Sequence, residues 1–349
     1  SQRHGLDSAD PAELRAAGSF VRSVPGAPGS LTLTVATDNA DADESLKNAL
    51  PPHLQKVWDQ FAVSGTLERV TTQIDWIEGQ PPIITLPEVR ITAARSRFEK
   101  FPYDLTGIEG QFRYGIDQDN RIVPGLLTIE SLSANHAGTR LESAGFVKTD
   151  STGYWHAHFS RLKIRDLLPN DDLLSALGPD IRKVFAAFAP DRPLNINGAL
   201  ELKGVAQPNV PVTAAWHIET VLSDGAVSAG LDLTDVQGRI ISEGSWNGRE
   251  AVVEGTIDIA TLKIFDKYRL HHVRGPFRVE NDRIIVGTVD AFRSGESSRP
   301  LDPAEQVTAE FIGGMLTLNS QALLKDSGDY AIRLNVSQGD LERFAQLYM

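Results

Sequence analysis

The sequence predicts a mainly β protein built as two tandem curved antiparallel sheet repeats, each accompanied by a short amphipathic helix. Three observations carry this. Short runs rich in Val, Ile and Thr alternate apolar with polar residues and are broken by Gly, Asn or Asp at intervals of about ten residues, the pattern of antiparallel strands with one covered face. One helical pattern occurs twice, 127 residues apart, at Leu50 and Leu177. A triplet motif, Leu-x-x-(Ile/Val)-x-Gly-x-(Phe/Ile), occurs three times. Repetition on this scale means that one structural unit is used more than once.

Taken in order, residues 1–29 read as an N-terminal helical segment. Ser8-Ala9-Asp10-Pro11 offers a capping side chain before a first-turn proline, and Leu14, Phe20 and Val21 recur at roughly helical spacing until Gly26-Ala27-Pro28-Gly29. Residues 30–165 form the first repeat, with strands at Leu31 to Val35, Val70 to Ile77, Val89 to Ile91 and Gly125 to Leu132. Residues 166–349 form the second repeat and the start of a further unit, with strands at Leu194 to Asn197, Ala251 to Ile259, Arg283 to Val289 and Met315 to Leu318. Pro300 to Glu310 reads as an exposed loop.

The repeated helix is Leu50 to Ala62 in the first copy and Leu177 to Ala189 in the second. Leu54, Val57, Trp58 and Phe61 stand at i, i+3, i+4 and i+7, and so do Ile181, Val184, Phe185 and Phe188. Pro52 and Pro179 occupy the first turn, where a missing N–H costs nothing. A glycine opens the strand after each, Gly65 and Gly198. The triplet motif runs Leu105 to Phe112, Leu233 to Ile240 and Leu270 to Phe277, and spaced glycine pairs follow the first two (Gly138 and Gly145; Gly248 and Gly255). Glycine there permits a positive φ, a bulge or a close backbone approach.

Composition excludes several functions. The 349 residues carry 34 Lys+Arg against 46 Asp+Glu, a formal charge of −12, with no basic run to hold nucleic acid or an anionic membrane surface. No cysteine is present, so there is no thiolate metal site, disulfide or cysteine nucleophile. No apolar stretch reaches the ~18–20 residues that span a bilayer. The chain opens Ser1-Gln2-Arg3-His4 without an apolar signal region and stops just after Leu341, Phe344 and Leu347. The expectation is therefore a segment of a longer protein, with targeting and anchoring signals outside it.

Chemistry-bearing constellations are sparse. His156 and His158 share a face of one strand but lack a third metal ligand at readable spacing, and His271 and His272 point to opposite faces. Asp38, Asp41, Asp43 and Glu44 precede the first helix and Asp171 and Asp172 the second, where carboxylates cap free N–H groups. Asp41-Ala42-Asp43-Glu44 lacks the glycine and distant glutamate of a calcium loop. Nucleophile-elbow, Walker and dinucleotide motifs are absent. The expectation is a non-enzymatic protein with no cofactor and no metal.

What remains is apolar surface. Phe112, Ile240 and Phe277 stand at one position of the triplet motif, and Trp58 and Phe185 at one position of the repeated helix. They are the candidate lining of an apolar groove for acyl chains, the alternative being a filled core. A closed-core scaffold or interaction module is the rival function, one that the resemblance given next would place in the cell envelope. A weaker rival is a carbohydrate-binding β protein using Trp76, Trp155, Trp216 or Trp246 as a platform.

The helix Leu-Pro-x-x-Leu-x-x-(Val/Leu)-(Trp/Phe) followed by Ser-Gly-x-Leu resembles the AsmA-like proteins of the bacterial envelope, a group related to TamB and YhdP. So do the Leu-x-x-(Ile/Val)-x-Gly triplets and the closing Ile332 to Val336 then Asp340 to Phe344. The similarity covers residues 30–349. The resemblance implies a coiled, repeating β sheet, a β-taco, with a hydrophobic interior groove. It also implies a periplasmic location, an inner-membrane anchor outside these residues, phospholipid as partner, and a role in lipid transport between membranes or in outer-membrane integrity.

Overall fold

The computed structural model describes residues 13–49, 55, 58–59, 62–99, 101–177, 182, 190–207, 210–228, 232–280, 283–288, 302–323 and 330–346. The fold is mainly β and antiparallel, with bent strands, as the sequence predicts. Its contacts divide the chain into two units: Ser1–Ala137 with Leu141–Ala157, and Gly138–Arg140 with His158–Met349.

Unit 1 is a meander of β1 (Glu13–Val21), β2 (Ser30–Ala42), β3 (Ser64–Ile77), β4 (Ile83–Phe98), β5 (Phe101–Ile116) and β6 (Ile122–His136), each hydrogen-bonded to the next. A short helix, α1 (Glu44–Ala49), follows β2, and its start is capped by Asp43, whose Oδ1 accepts from the Leu46 N–H at 2.9 Å. The strands β7 (Thr139–Thr149) and β8 (Tyr154–Leu167) fall partly in each unit.

Unit 2 begins with α2 (Asp171–Ala176). Its cap is Asn170, which accepts from Leu173 N–H, while Asp171 and Asp172 occupy the first turn. The strands β9 (Leu194–Val205), β10 (Thr213–Ser228), β11 (Asp232–Trp246), β12 (Ala251–Ile264) and β13 (Tyr268–Glu280) form the second meander. Two short strands, β14 (Arg283–Val286) and β15 (Val307–Phe311), share the next edge of β13 and both pair with β16 (Gly314–Leu323). They are one strand interrupted by an insertion. The last elements are β17 (Tyr330–Ser337), paired with β16, and α3 (Leu341–Gln346).

The bend has a residue-level cause. Ala93 in β4, Gly107 in β5, Asp224 in β10, Asp235 in β11 and His272 in β13 all have φ between 50° and 56°, and strand registers slip beside them. Each is a β-bulge in the left-handed conformation, which bends the strand and adds twist. The residue after each bulge is buried: Ala94, Ile108, Gly225, Val236 and Val273. A bulge shifts the face on which the next residues fall. It lets Leu105 pack against Ile108 from three residues away, although the two would point oppositely in a regular strand. The Leu-x-x-(Ile/Val)-x-Gly motif is thus the signature of a bulge, with the left-handed residue at its third position (Gly107, Asp235, His272). The core of unit 1 lies at this line, where Ala94, Ile108 and Ala134 meet.

Two expectations are corrected. The helical segment proposed for residues 1–29 is strand β1 over Glu13–Val21, paired residue for residue with Ser30 to Asp38; residues 1–12 lie outside the described residues. Nine ladder positions outweigh a weak helical spacing, and Gly18 disfavours a helix by about 1 kcal/mol. In the strand, a Cβ at Gly18 would stand 2.6 Å from the Thr32 carbonyl oxygen. The proposed loop Pro300 to Glu310 contains a 3₁₀ turn at Pro303–Glu305 and then β15, whose Val307 is completely buried. Most of the repeated helix lies outside the described residues in both copies. Gln55, Trp58 and Asp59 are helical in the first and Arg182 in the second.

Candidate functional site: an apolar sheet face in each unit

Strand alternation and register together place one class of side chain on one face. In unit 1 the pairing aligns Val70, Val89, Phe112 and Ile129 across β3 to β6. The flanking rows are Leu33, Ile74 and Ile84 on β2 to β4, Leu86, Tyr114 and Leu127 on β4 to β6, and Leu31 with Trp76. In unit 2 the rows across β9 to β13 are Ile196, Thr220, Ile240, Ile257, Gly275, then Gly198, Ile218, Ser242, Gly255, Phe277, then Leu200, Trp216, Gly244, Val253, Val279. Leu202, Ala214, Trp246 and Ala251 complete the face at the turn end.

Phe112, Ile240 and Phe277 are therefore brought onto the apolar face, each half-buried. The rings of Phe277 and Trp216 lie over glycines directly across the ladder, Gly255 and Gly244, where any Cβ would collide with them. Covering a strand glycine this way replaces packing that the glycine itself does not supply. Trp58 is half-buried on a helical turn tied to α1 through the Lys47–Asp59 ion pair at 2.6 Å and is not part of the paired strand rows. Phe185 lies outside the described residues.

The opposite face carries charge. Asp258 on β12 receives Arg274 at 2.8 Å and Arg239 at 3.3 Å, and Arg239 reaches Glu219 at 3.9 Å, so a ladder of ion pairs crosses β10 to β13. The hydrogen bond from Arg274, and then the charges of Arg274 and Arg239, hold the Asp258 carboxyl below its ordinary value. Lys263 and Arg269 converge on Asp235, each at 2.9 Å, and the Lys263 hydrogen bond leads in lowering its pKa. In unit 1 Arg69 does the same to Asp38 at 2.8 Å. Each of these pairs is at least partly exposed to water and adds little stability singly. Their consequence is polarity: one face stays in water while the other is apolar.

Burial on the apolar face is graded along the strands. Leu222, Ile259 and Val273, near the bulges, are buried, whereas Ile84 at the turn end is 45% exposed and Trp76, Trp216 and Trp246 are half-buried. The four tryptophans considered as a sugar platform therefore include three set among aliphatic residues. Among the described residues no group of three or more His, Asp or Glu is arranged to hold a metal, and no helix is long and apolar enough to cross a membrane. His156 packs edge-on against Phe146, at 5.2 Å between ring centroids.

The sequence alone points to the triplet aromatics and marks Gly255 as one of a spaced pair, but it does not show that Phe277 and Trp216 cover Gly255 and Gly244. The signal was present: the glycines of the second repeat stand one residue out of phase with its polar positions. No family model matches the chain, and neither a curated protein nor a solved structure matches it.

Proposed function

We propose that this chain is a non-enzymatic lipid-binding segment of a bacterial envelope protein, holding the acyl chains of phospholipid on the apolar face and passing them between membranes. The supporting observation is the apolar row Val70, Val89, Phe112 and Ile129 across neighbouring strands of unit 1, with the Phe277 and Trp216 rows as its counterpart in unit 2, each backed by an ion-paired opposite face. Each methylene removed from water on such a face contributes ~0.8 kcal/mol, so an acyl chain crosses an aqueous space without a cofactor or a chemical step. Headgroups stay in water.

Half-burial of Phe112, Ile240 and Phe277 favours this reading over a closed scaffold, whose inward residues would be fully covered. The setting of Trp76, Trp216 and Trp246 among aliphatic residues favours it over a sugar platform. A periplasmic location and an inner-membrane anchor outside these residues belong to the same proposal.

The test is mass spectrometry of an organic extract of the protein, purified without detergent after contact with envelope membranes, beside an acidic β-protein control. Stoichiometric phospholipid with this protein alone is the expected result. A lipid-free extract from folded protein would replace the groove with the scaffold.

A further inference from the structure

We infer that the turn end of the apolar face in unit 2 is a headgroup site for a zwitterionic phospholipid, whose acyl chains run from there towards the bulges. This rests on the lipid-binding reading above and gives it a direction and a ligand class. Trp246 is the last residue of β11 and lies on the apolar face, one diagonal step from Trp216. Neither indole N–H has a protein acceptor among the described residues. Tryptophan favours the boundary between apolar and wet surroundings because its ring is apolar and its N–H is a donor. At the other end of the same strands Leu222, Ile259 and Val273 are buried, so the face is dry where a chain would end and wet where a headgroup would begin.

The turn that follows Trp246 supplies both charges of such a headgroup. Asn247 Oδ1 accepts from the Arg249 and Glu250 N–H groups at 2.9 Å each, and Gly248 packs against Pro211, so the turn is fixed in shape. Arg249 and Glu250 are both exposed, and neither side chain forms an ion pair among the described residues. A phosphate on Arg249 and an ammonium on Glu250 match this adjacent pair, with the guanidinium donating charge-assisted hydrogen bonds. At the turn end of unit 1, Arg22 is already bound to Glu78 at 2.6 Å and Arg121 to Asp117 and Asp119 at 2.7 and 2.9 Å, which makes the site particular to unit 2.

The experiment uses the full chain with Trp58, Trp76, Trp155 and Trp216 replaced by Phe, leaving Trp246 as the only tryptophan, excited selectively over the tyrosines. It is mixed with phosphatidylcholine vesicles whose lipid is brominated either close to the headgroup or near the chain terminus. Greater loss of Trp246 fluorescence with the headgroup-proximal bromine is expected; equal loss, or greater loss with the terminal bromine, overturns the proposal. In the otherwise unaltered chain, Arg249→Glu should weaken phosphatidylcholine retention by about tenfold while circular dichroism stays unchanged, and unchanged retention overturns the headgroup assignment. If neither brominated lipid quenches but the organic extract contains phospholipid, the headgroup site fails and the lipid-binding reading stands. A lipid-free extract removes both.

Discussion

A left-handed residue inside a strand is costly for most side chains, and the three copies of the triplet motif meet that cost with Gly107, Asp235 and His272. Gly, Asp and His are among the residues that tolerate this region best. His271 and His272 therefore need no catalytic explanation: His272 makes the bend, and its Nδ1 pairs with Glu310 at 3.1 Å. The last glycine of the motif has a different task. A Cβ at Gly238 would stand 2.5 Å from the Ile259 Cα, and one at Gly275 2.6 Å from the Val307 Cα. Backbone, unlike a side-chain tip, has no room to yield, so Gly238→Ala should destabilise unit 2 by ~3 kcal/mol or more. Gly79→Ala is the control: its φ is left-handed at 86°, against 154° at Gly238, yet nothing lies within 4 Å, and strain alone of about 1–2 kcal/mol is expected. Urea denaturation midpoints compare the two, and equal losses would show that φ rather than close approach fixes Gly238. The motif spacing was legible in the sequence at this scale. The division of labour between its two glycine-like positions was not, because a positive φ and a close approach demand similar residues for different reasons.

Strands β10 to β13 are joined on their polar face by the ladder Glu219, Arg239, Asp258 and Arg274. Asp258 is its only central acid, and its folded pKa lies below the ordinary value of 3.8. A carboxylate with a depressed folded pKa adds stability that is fully present above the unfolded value. That stability is lost as pH falls from about 3.8 through the lower folded value. Asp258→Asn should therefore lower stability at neutral pH and flatten its fall under acid, read as denaturation midpoints between neutral pH and pH of about 2. Parallel acid profiles for the two proteins would remove Asp258 from the acid response. The same scale explains what sequence reading missed. Leu14, Phe20 and Val21 fit a helical face loosely, but Leu14 and Phe20 also share a strand face, and only the partner Leu31 to Thr37 decides between them. That partner is non-local, so no window over residues 1–29 contains the answer. Val307 reads as loop in the sequence for a related reason: Pro300 and Pro303 lie beside it, while the strand it completes begins across an insertion at Arg283.

At the scale of the molecule, two units of similar motif order each present an apolar face, and duplication predicts additive binding. Phe112 occupies the row Val70, Val89, Phe112, Ile129 in unit 1, and Phe277 the row Ile218, Ser242, Gly255, Phe277 in unit 2. Aspartate at either position sets an ionised carboxylate in the path of an acyl chain. On a half-buried strand face it keeps access to water, so the sheet tolerates it while an apolar ligand does not. Phe112→Asp and Phe277→Asp should each lower the phospholipid bound per chain by roughly half, the two effects adding because each change stays within its own unit. The double substitution should leave almost none. Organic phosphate per mole of protein reads the outcome, with circular dichroism confirming that strand content is retained. Undiminished lipid in the folded double variant would mean that the apolar faces are not where acyl chains bind. The half-exposed aromatics would then be explained by their glycine partners alone: Phe277 would be conserving the packing of Gly255 on a sheet whose ligand lies elsewhere.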